Sequence, residues 1–370
     1  LGFKSNLDLS SSESSKLMLF DWVARPKEDK AGSDLTGEGS ILYQNDQITF
    51  KHASAMPYSS LLSGDIFLED TTRLKIELNW RDFELPFEDI SALESKQGQV
   101  HIEGPLTALT ISADGLFQVE PLGSFDLNLD ALWSGTELTL NRLEADVIDG
   151  SINVVGAINL QETAAGSLQF DARNLNFGKI NPDLDSRVNI TSVLDFTKAE
   201  DELSTNLNIE SITGQWRGFP LKGVGKVAYA KDILHIDHLH FESGNNTLDL
   251  NLKTDELMTG LAEIFIDDFS VFSSELAGKI EGRLDISGKP DTPIIKGTFT
   301  GERIHLEDIR LTSLSADTRI DLSPQQRSSV FVKLNALSYK NKMIDELLIN
   351  GNGLTESHLI ELTASGPEFN

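Results

Sequence analysis

The chain has 370 residues, which at roughly 100–200 residues per domain allows two or three ordinary globular units, and its 31 basic side chains against 58 acidic ones give a formal charge of −27. That balance excludes a nucleic-acid backbone as the main partner, because phosphate binding needs clustered Lys and Arg. With no cysteine, disulfide scaffolds, thiolate nucleophiles and Cys-based zinc or iron–sulfur centres are excluded too.

Apolar residues make up 39% of the chain and aromatics 7%, too apolar for simple disorder. No apolar run approaches the ~18 residues of a membrane-spanning helix. Beginning at Leu1 with neither an initiator Met nor a basic flank, the sequence reads as an excised or processed piece of a longer protein.

The dominant pattern along the chain is alternation with period two. Leu74, Ile76, Leu78 and Trp80 are interleaved with Lys75, Glu77, Asn79 and Arg81. Val100 and Ile102 follow, then Phe125, Leu127 and Leu129 between Asp126, Asn128 and Asp130. The same spacing recurs at Ile152/Val154, Leu168/Phe170, Leu207/Ile209, Leu248/Leu250/Leu252, Leu284/Ile286, Ile320/Leu322 and Val330/Val332/Leu334. Successive strand side chains point to opposite faces, so each segment makes one apolar and one polar face. Strands buried on both faces would read as continuous apolar runs. These alternating positions are the candidate apolar lining.

Helical spacing is rare: Phe87, Ile90 and Leu93 predict a short turn of helix, and Leu257, Met258 and Leu261 another. Tight turns are expected at Asn45-Asp46, Asp114-Gly115, Asp149-Gly150, Gly244-Asn245-Asn246 and Gly351-Asn352-Gly353, whose residues tolerate positive φ. The whole length reads as a meander of about 25–30 short strands with no linker. A loose unit, Gly-x-φ-x-φ-x-Gly, repeats at Gly98–Gly104, Gly150–Gly156 and Gly282–Gly288, with variants from Gly39 and Gly225. Its irregular spacing suits one long sheet growing by hairpins, not stacked identical domains.

Signs of site chemistry are weak. Near His235, His238 and His240 the apolar phase shifts, which predicts a bulge, and His235 is expected to point away from the other two, leaving at most two converging ligands. The segment Gly282–Lys289 has the wrong glycine spacing for a phosphate loop and is followed by Pro290. Acidic pairs such as Asp267-Asp268 and Asp183/Asp185 fit no calcium-loop pattern. No Gly-x-Ser-x-Gly elbow occurs. The reading is of a non-enzyme with no catalytic residue, no metal and no cofactor.

The stretch from Leu276 to Gly301, with its Gly-x-φ-x-φ-x-Gly and Pro-x-φ-x-Gly phrases followed by Ile304–Leu311, resembles the TamB group of AsmA-like, bridge-like lipid-transfer proteins. Leu78–Pro86 leading into Gly98–Gly104, and Gly214–Gly223 with its Trp216, match the same style. The resemblance implies an all-β fold, a long curled antiparallel sheet (a β-taco, or groove) with an apolar concave face and few short helices. Residues 1–370 would form one continuous elongated segment of that groove. An N-terminal inner-membrane anchor and a C-terminal domain would lie outside it. The resemblance further implies a periplasmic location in a Gram-negative envelope and phospholipid acyl chains as cargo between inner and outer membranes. It also implies a part in outer-membrane protein biogenesis with the BamA-like barrel TamA, engaged through regions outside this segment.

From the residues alone three readings stand: a lipid conduit lined by the alternating apolar positions; a scaffold or chaperone templating outer-membrane barrels or autotransporters through its sheet edges; and a β-rich adhesin with an ordinary sandwich core.

Overall fold

The computed structural model describes residues 2–12, 15–25, 35–56, 59–68, 70–85, 93–199, 202–273, 275–340 and 342–367. It divides into two compact units, Leu1–Leu175 and Asn176–Asn370. The first holds β1 (Gly2–Ser11), β2 (Ser15–Arg25), β3 (Leu35–Gln44), β4 (Gln47–Met56), β5 (Ser59–Phe67), β6 (Arg73–Leu85), β7 (Leu93–Pro105), β8 (Leu109–Val119), β9 (Gly123–Trp133), β10 (Glu137–Val147), β11 (Gly150–Leu160) and β12 (Thr163–Leu175). The second holds β13 (Ser186–Ala199), β14 (Glu202–Trp216), β15 (Phe219–Ala230), β16 (Ile233–Ser243), β17 (Asn246–Thr254), β18 (Met258–Ile266), β19 (Leu276–Lys289), β20 (Thr292–Leu306), β21 (Ile309–Asp321), β22 (Ser328–Tyr339), β23 (Lys342–Leu354) and β24 (Ser357–Ser365).

Within each unit every strand pairs antiparallel with its sequence neighbour, β1 with β2 through to β11 with β12, and β13 with β14 through to β23 with β24. The all-β, antiparallel class read from the alternation is the class observed, and the 24 strands among the described residues fall just short of the expected number.

The helices differ from expectation. Among the described residues the only helical pieces are three 3-10 turns, Phe177–Lys179, Pro182–Leu184 and Phe269–Val271. Met258 and Leu261 lie on β18, where Met258 pairs with Thr254 and Leu261 with Asn251. Ladder bonds on both sides outweigh a weak three-residue periodicity there. Leu93 opens β7, while Phe87 and Ile90 lie outside the described residues.

Turn chemistry explains most hairpins. Asn45 and Asp46 have φ of 50° and 57°, and Lys231 and Asp232 have 52° and 63°, the double left-handed geometry that matches strand twist. The loop expected at Asp149-Gly150 sits one residue earlier, on Ile148-Asp149, and Gly244-Asn245 turns as expected. Two turn expectations are corrected: Asp114-Gly115 lies inside β8, and Gly351-Asn352-Gly353 lies inside β23. At both places the alternation runs on through the glycine, and the ladder wins over the local turn signal.

The link from β18 to β19 rests on one buried side chain. Asn246, 5% exposed, accepts from the backbone N–H of Asp267 (2.8 Å) and Asp268 (3.0 Å) and donates to the Asp268 carbonyl (3.0 Å). Asp268 in turn caps the 3-10 turn by accepting from the Ser270 N–H at 2.9 Å. Losing a buried partner leaves backbone groups unpaired, at about 1–3 kcal/mol. Asn246→Ala is therefore expected to lower stability by about 2–3 kcal/mol, seen as a lower urea midpoint of the second unit. Thr259→Ala, on the polar face, is expected to shift it by less than about 0.5 kcal/mol.

Candidate functional site

In an antiparallel pair, directly opposed residues share a face, so the registers trace which side chains lie together. In the first unit one row runs Phe50, Gly64, Ile76, Ile102, Ile111, Ala131 and Leu140. The row beside it runs Leu62, Leu78, Val100, Ala113, Leu129, Leu143, Val154 and Phe170. Leu74 lies on the same face opposite Ile66, as do Phe125 opposite Phe117, Leu127 opposite Ala145, Ile152 opposite Ala172, and Leu168 opposite Gly156. All twelve candidate lining residues of this unit thus fall on one face.

The second unit repeats the arrangement. Leu207, Val227, Ile236, Leu252, Gly260, Ile286, Ile295 and Ile320 form one row. Ile209, Gly225, Leu239, Leu250, Ala262, Leu284, Gly297, Thr318 and Val330 form the next, with the Leu239 side chain lying over Gly225. Leu248 pairs with Phe241, Val332 with Ala316, and Leu334 with Leu314 on that face. Leu322 stands apart: it follows the end of β21, is 41% exposed, and donates its N–H to the Pro293 carbonyl.

Such a face survives only if each strand keeps phase. β10, β14 and β16 each carry one more residue than both neighbours, at Leu140/Leu143, Ile209/Ile212 and Ile236/Leu239, where the apolar spacing steps by three instead of two. These are β-bulges that absorb the extra residue and return the next apolar side chain to its face. The third is the bulge expected near the histidines.

The apolar face is not a closed core. Of the 24 candidates Val154 is buried, Leu322 is exposed and the rest are half-buried. Only eleven apolar side chains are fully buried among the described residues. The accessible surface is 23286 Å², against roughly 18,000 Å² for two compact bodies of the same total mass.

Aromatic side chains share this face, each directly opposite a glycine, and of these the alternation picks out only Trp80. The pairs are Phe20 with Gly39, Phe50 with Gly64, Trp80 with Gly98, Phe241 with Gly223 and Phe299 with Gly282. The first glycine of the repeated Gly-x-φ-x-φ unit is in three of these pairs, at Gly39, Gly98 and Gly282. Trp80 is also tied down at its edge, its Nε1 donating to the buried Ser95 Oγ at 2.8 Å. A sequence signal was present: Gly39, Gly64, Gly98 and Gly282 each lie in phase with the apolar residues two and four positions on, whereas Gly223 is followed in phase by Gly225 and Val227.

The polar face carries the hollows. A cavity of about 950 Å³ in the first unit spans strands from β4 to β10 and is lined by Asn79, Arg81, Gln99, Asp114, Asn128 and Asp146 among others. Leu61, Trp80, Leu116 and Leu127 line it too, so its lining is mixed in polarity. Asp267 is engaged by Lys279, while Asp183 lies within the 3-10 turn Pro182–Leu184 and Asp185 ends it. Among the described residues no group of three or more His, Asp or Glu side chains converges as metal ligands.

The histidine cluster differs from expectation. His235 pairs with Ala228 and Lys253, and His240 with Val224 and Asp249, so the bulge between them puts both on the polar face. His238, at φ 50°, stacks on His240 with ring centroids 6.1 Å apart. His240 Nδ1 lies 2.7 Å from Asp249 Oδ1 and its Nε2 lies 3.2 Å from Glu242 Oε1. The Asp249 hydrogen bond, joined by Glu242 and opposed by partial burial, raises the imidazole above its ordinary pKa.

Comparison with known proteins gives a consistent family. The family described as TamB, N-terminal domain, matches residues 30–370. The translocation and assembly module subunit TamB of Haemophilus influenzae is 22% identical over 251 residues, covering 68% of this chain. The chain spans 18% of that relative's length.

The His240 cluster makes a pH prediction. A histidine whose folded pKa is raised contributes stability that is fully present below the unfolded value near 6.5 and is lost as pH rises through the folded value. An NMR titration is expected to place His240 above about 6.5. Asp249→Asn is expected to bring it down and to flatten the loss of stability above that pH.

Proposed function

Because the chain belongs to the TamB N-terminal-domain family, we propose that the apolar face of each unit carries phospholipid acyl chains through the periplasm between inner and outer membranes, as one length of an inner-membrane-anchored envelope protein. The supporting observation is the in-phase apolar face, half-buried and not enclosed as a core, in both units. A sheet must hide such a face. An acyl chain laid on it gains roughly 0.8 kcal/mol per methylene removed from water. Every row presents the same chemistry to the next, so a chain moving across the strands exchanges one apolar contact for another without being rehydrated.

Such transport needs positions, not a reactive group, and the wet face of the sheet keeps the protein soluble around its cargo. The relative's name places it in a translocation and assembly module. In our reading this segment serves the same envelope-building task by supplying lipid, and docking to an outer-membrane barrel of the TamA kind occurs through other parts of the protein.

Lipid extraction and native mass spectrometry of the purified chain are expected to find bound phospholipid. Ile286→Asp, in the middle of an apolar row, is expected to abolish that load with the circular-dichroism spectrum unchanged. Thr298→Asp, on the opposite face of the same strand pair, is expected to leave it intact. A wild-type chain carrying no phospholipid, or an Ile286→Asp chain carrying as much, would falsify the reading.

A further inference from the structure

We propose that the glycines set opposite aromatic residues on the apolar face act as seats that hold the rings flat against the sheet and so keep the acyl-chain path clear. This rests on the lipid reading above and assigns that path its positioning residues. A strand side chain ordinarily stands roughly perpendicular to its sheet. A ring lies down only where the residue beside it has no Cβ.

Gly98 and Gly282 isolate the effect. At Gly98 the three atoms nearest the point a Cβ would occupy all belong to the Trp80 indole, and at Gly282 all belong to the Phe299 ring. No backbone atom is among them. Neither glycine has a positive φ, so the backbone at both sites is open to any residue. Glycine weakens a strand interior, and here the ring is what a Cβ would meet first. Gly223 is a third case, where the nearest atom is Phe241 Cδ1 at 2.9 Å. All three glycines are in phase with the proposed acyl path: Gly282 sits two residues before Leu284 and Gly98 two before Val100.

A Cβ at either site forces the ring to lift into the space above the face. A purely structural pairing, in which the ring only shields the glycine backbone, makes a different prediction. It loses stability when the ring is removed and gains nothing from removing it in a glycine variant.

The test uses the full chain. Gly282→Ala is expected to lose bound phospholipid while keeping its far-ultraviolet circular dichroism, and Gly282→Ala/Phe299→Ala to recover the load of the wild type. In the other unit, with Trp22, Trp133 and Trp216 replaced by Phe, Gly98→Ala is expected to expose Trp80 to acrylamide quenching. That readout is independent of lipid and of whether Gly282→Ala folds. Unchanged Trp80 quenching, an undiminished lipid load in Gly282→Ala, or failure of the double variant to recover overturns the proposal. If the wild-type chain carries no phospholipid, the lipid reading falls and clearance of an acyl path falls with it, whereas the Trp80 result still decides whether the glycine seats the ring.

Discussion

A slip of one residue between two neighbouring strands turns every side chain of the later strand to the opposite face. The apolar face of this protein exists only as long as each ladder keeps phase with the one before. The bulged strands show how that constraint is met. Where β14 carries an extra residue, Ile209 and Ile212 are three apart and both remain on the apolar side, opposite Gly225 and Gly223. β16 does the same with Ile236 and Leu239. Further along, Leu311/Leu314 on β21 and Leu334/Leu337 on β22 step by three side by side, with Leu311 opposite Leu337 and Leu314 opposite Leu334, so the step passes from strand to strand with the pairing intact.

The two faces then divide the chemistry. The acidic excess lies on the wet side, where it pairs locally, as in Arg283 with Glu263 and Asp285 and Lys222 with Glu242. Exposed pairs of this kind add little stability, so the polar side keeps the sheet in solution and the ladders hold it together. The apolar side is lined by Leu, Ile and Val, with aromatic rings lying over glycines.

Much of this is legible in the sequence, because period two is a direct imprint of the pleat. Leu74, Ile76 and Leu78, or Leu248, Leu250 and Leu252, can be assigned to a single face without coordinates. What escapes depends on the neighbouring strand. Asp114-Gly115 has the composition of a turn, but Gly115 is opposite Gly98 and Leu127 and a Cβ there would crowd the Phe117 ring, a relation visible only once β7, β8 and β9 are in register. His235 reads to the wrong side because a bulge can be recognised from a phase shift before the residue that absorbs it can be located. The 3-10 links escape for a similar reason. Asn176 and Asp268 each cap a Phe-led turn by accepting from the N–H two residues on, yet each turn is too short to leave a periodic trace.

Pairing confined to sequence neighbours also governs how such a chain acquires its structure. Each new strand finds its partner in the residues just made, so the loop that must close is only a hairpin long, and its entropic cost does not grow as the protein lengthens. A meander of this kind can assemble from one end while the rest of the chain is still unfolded, each finished strand offering its open edge as the template for the next. Length thereby becomes a free variable. A protein that has to reach across a gap can be extended by whole hairpins, at a constant cost per strand and with no redesign of what is already built.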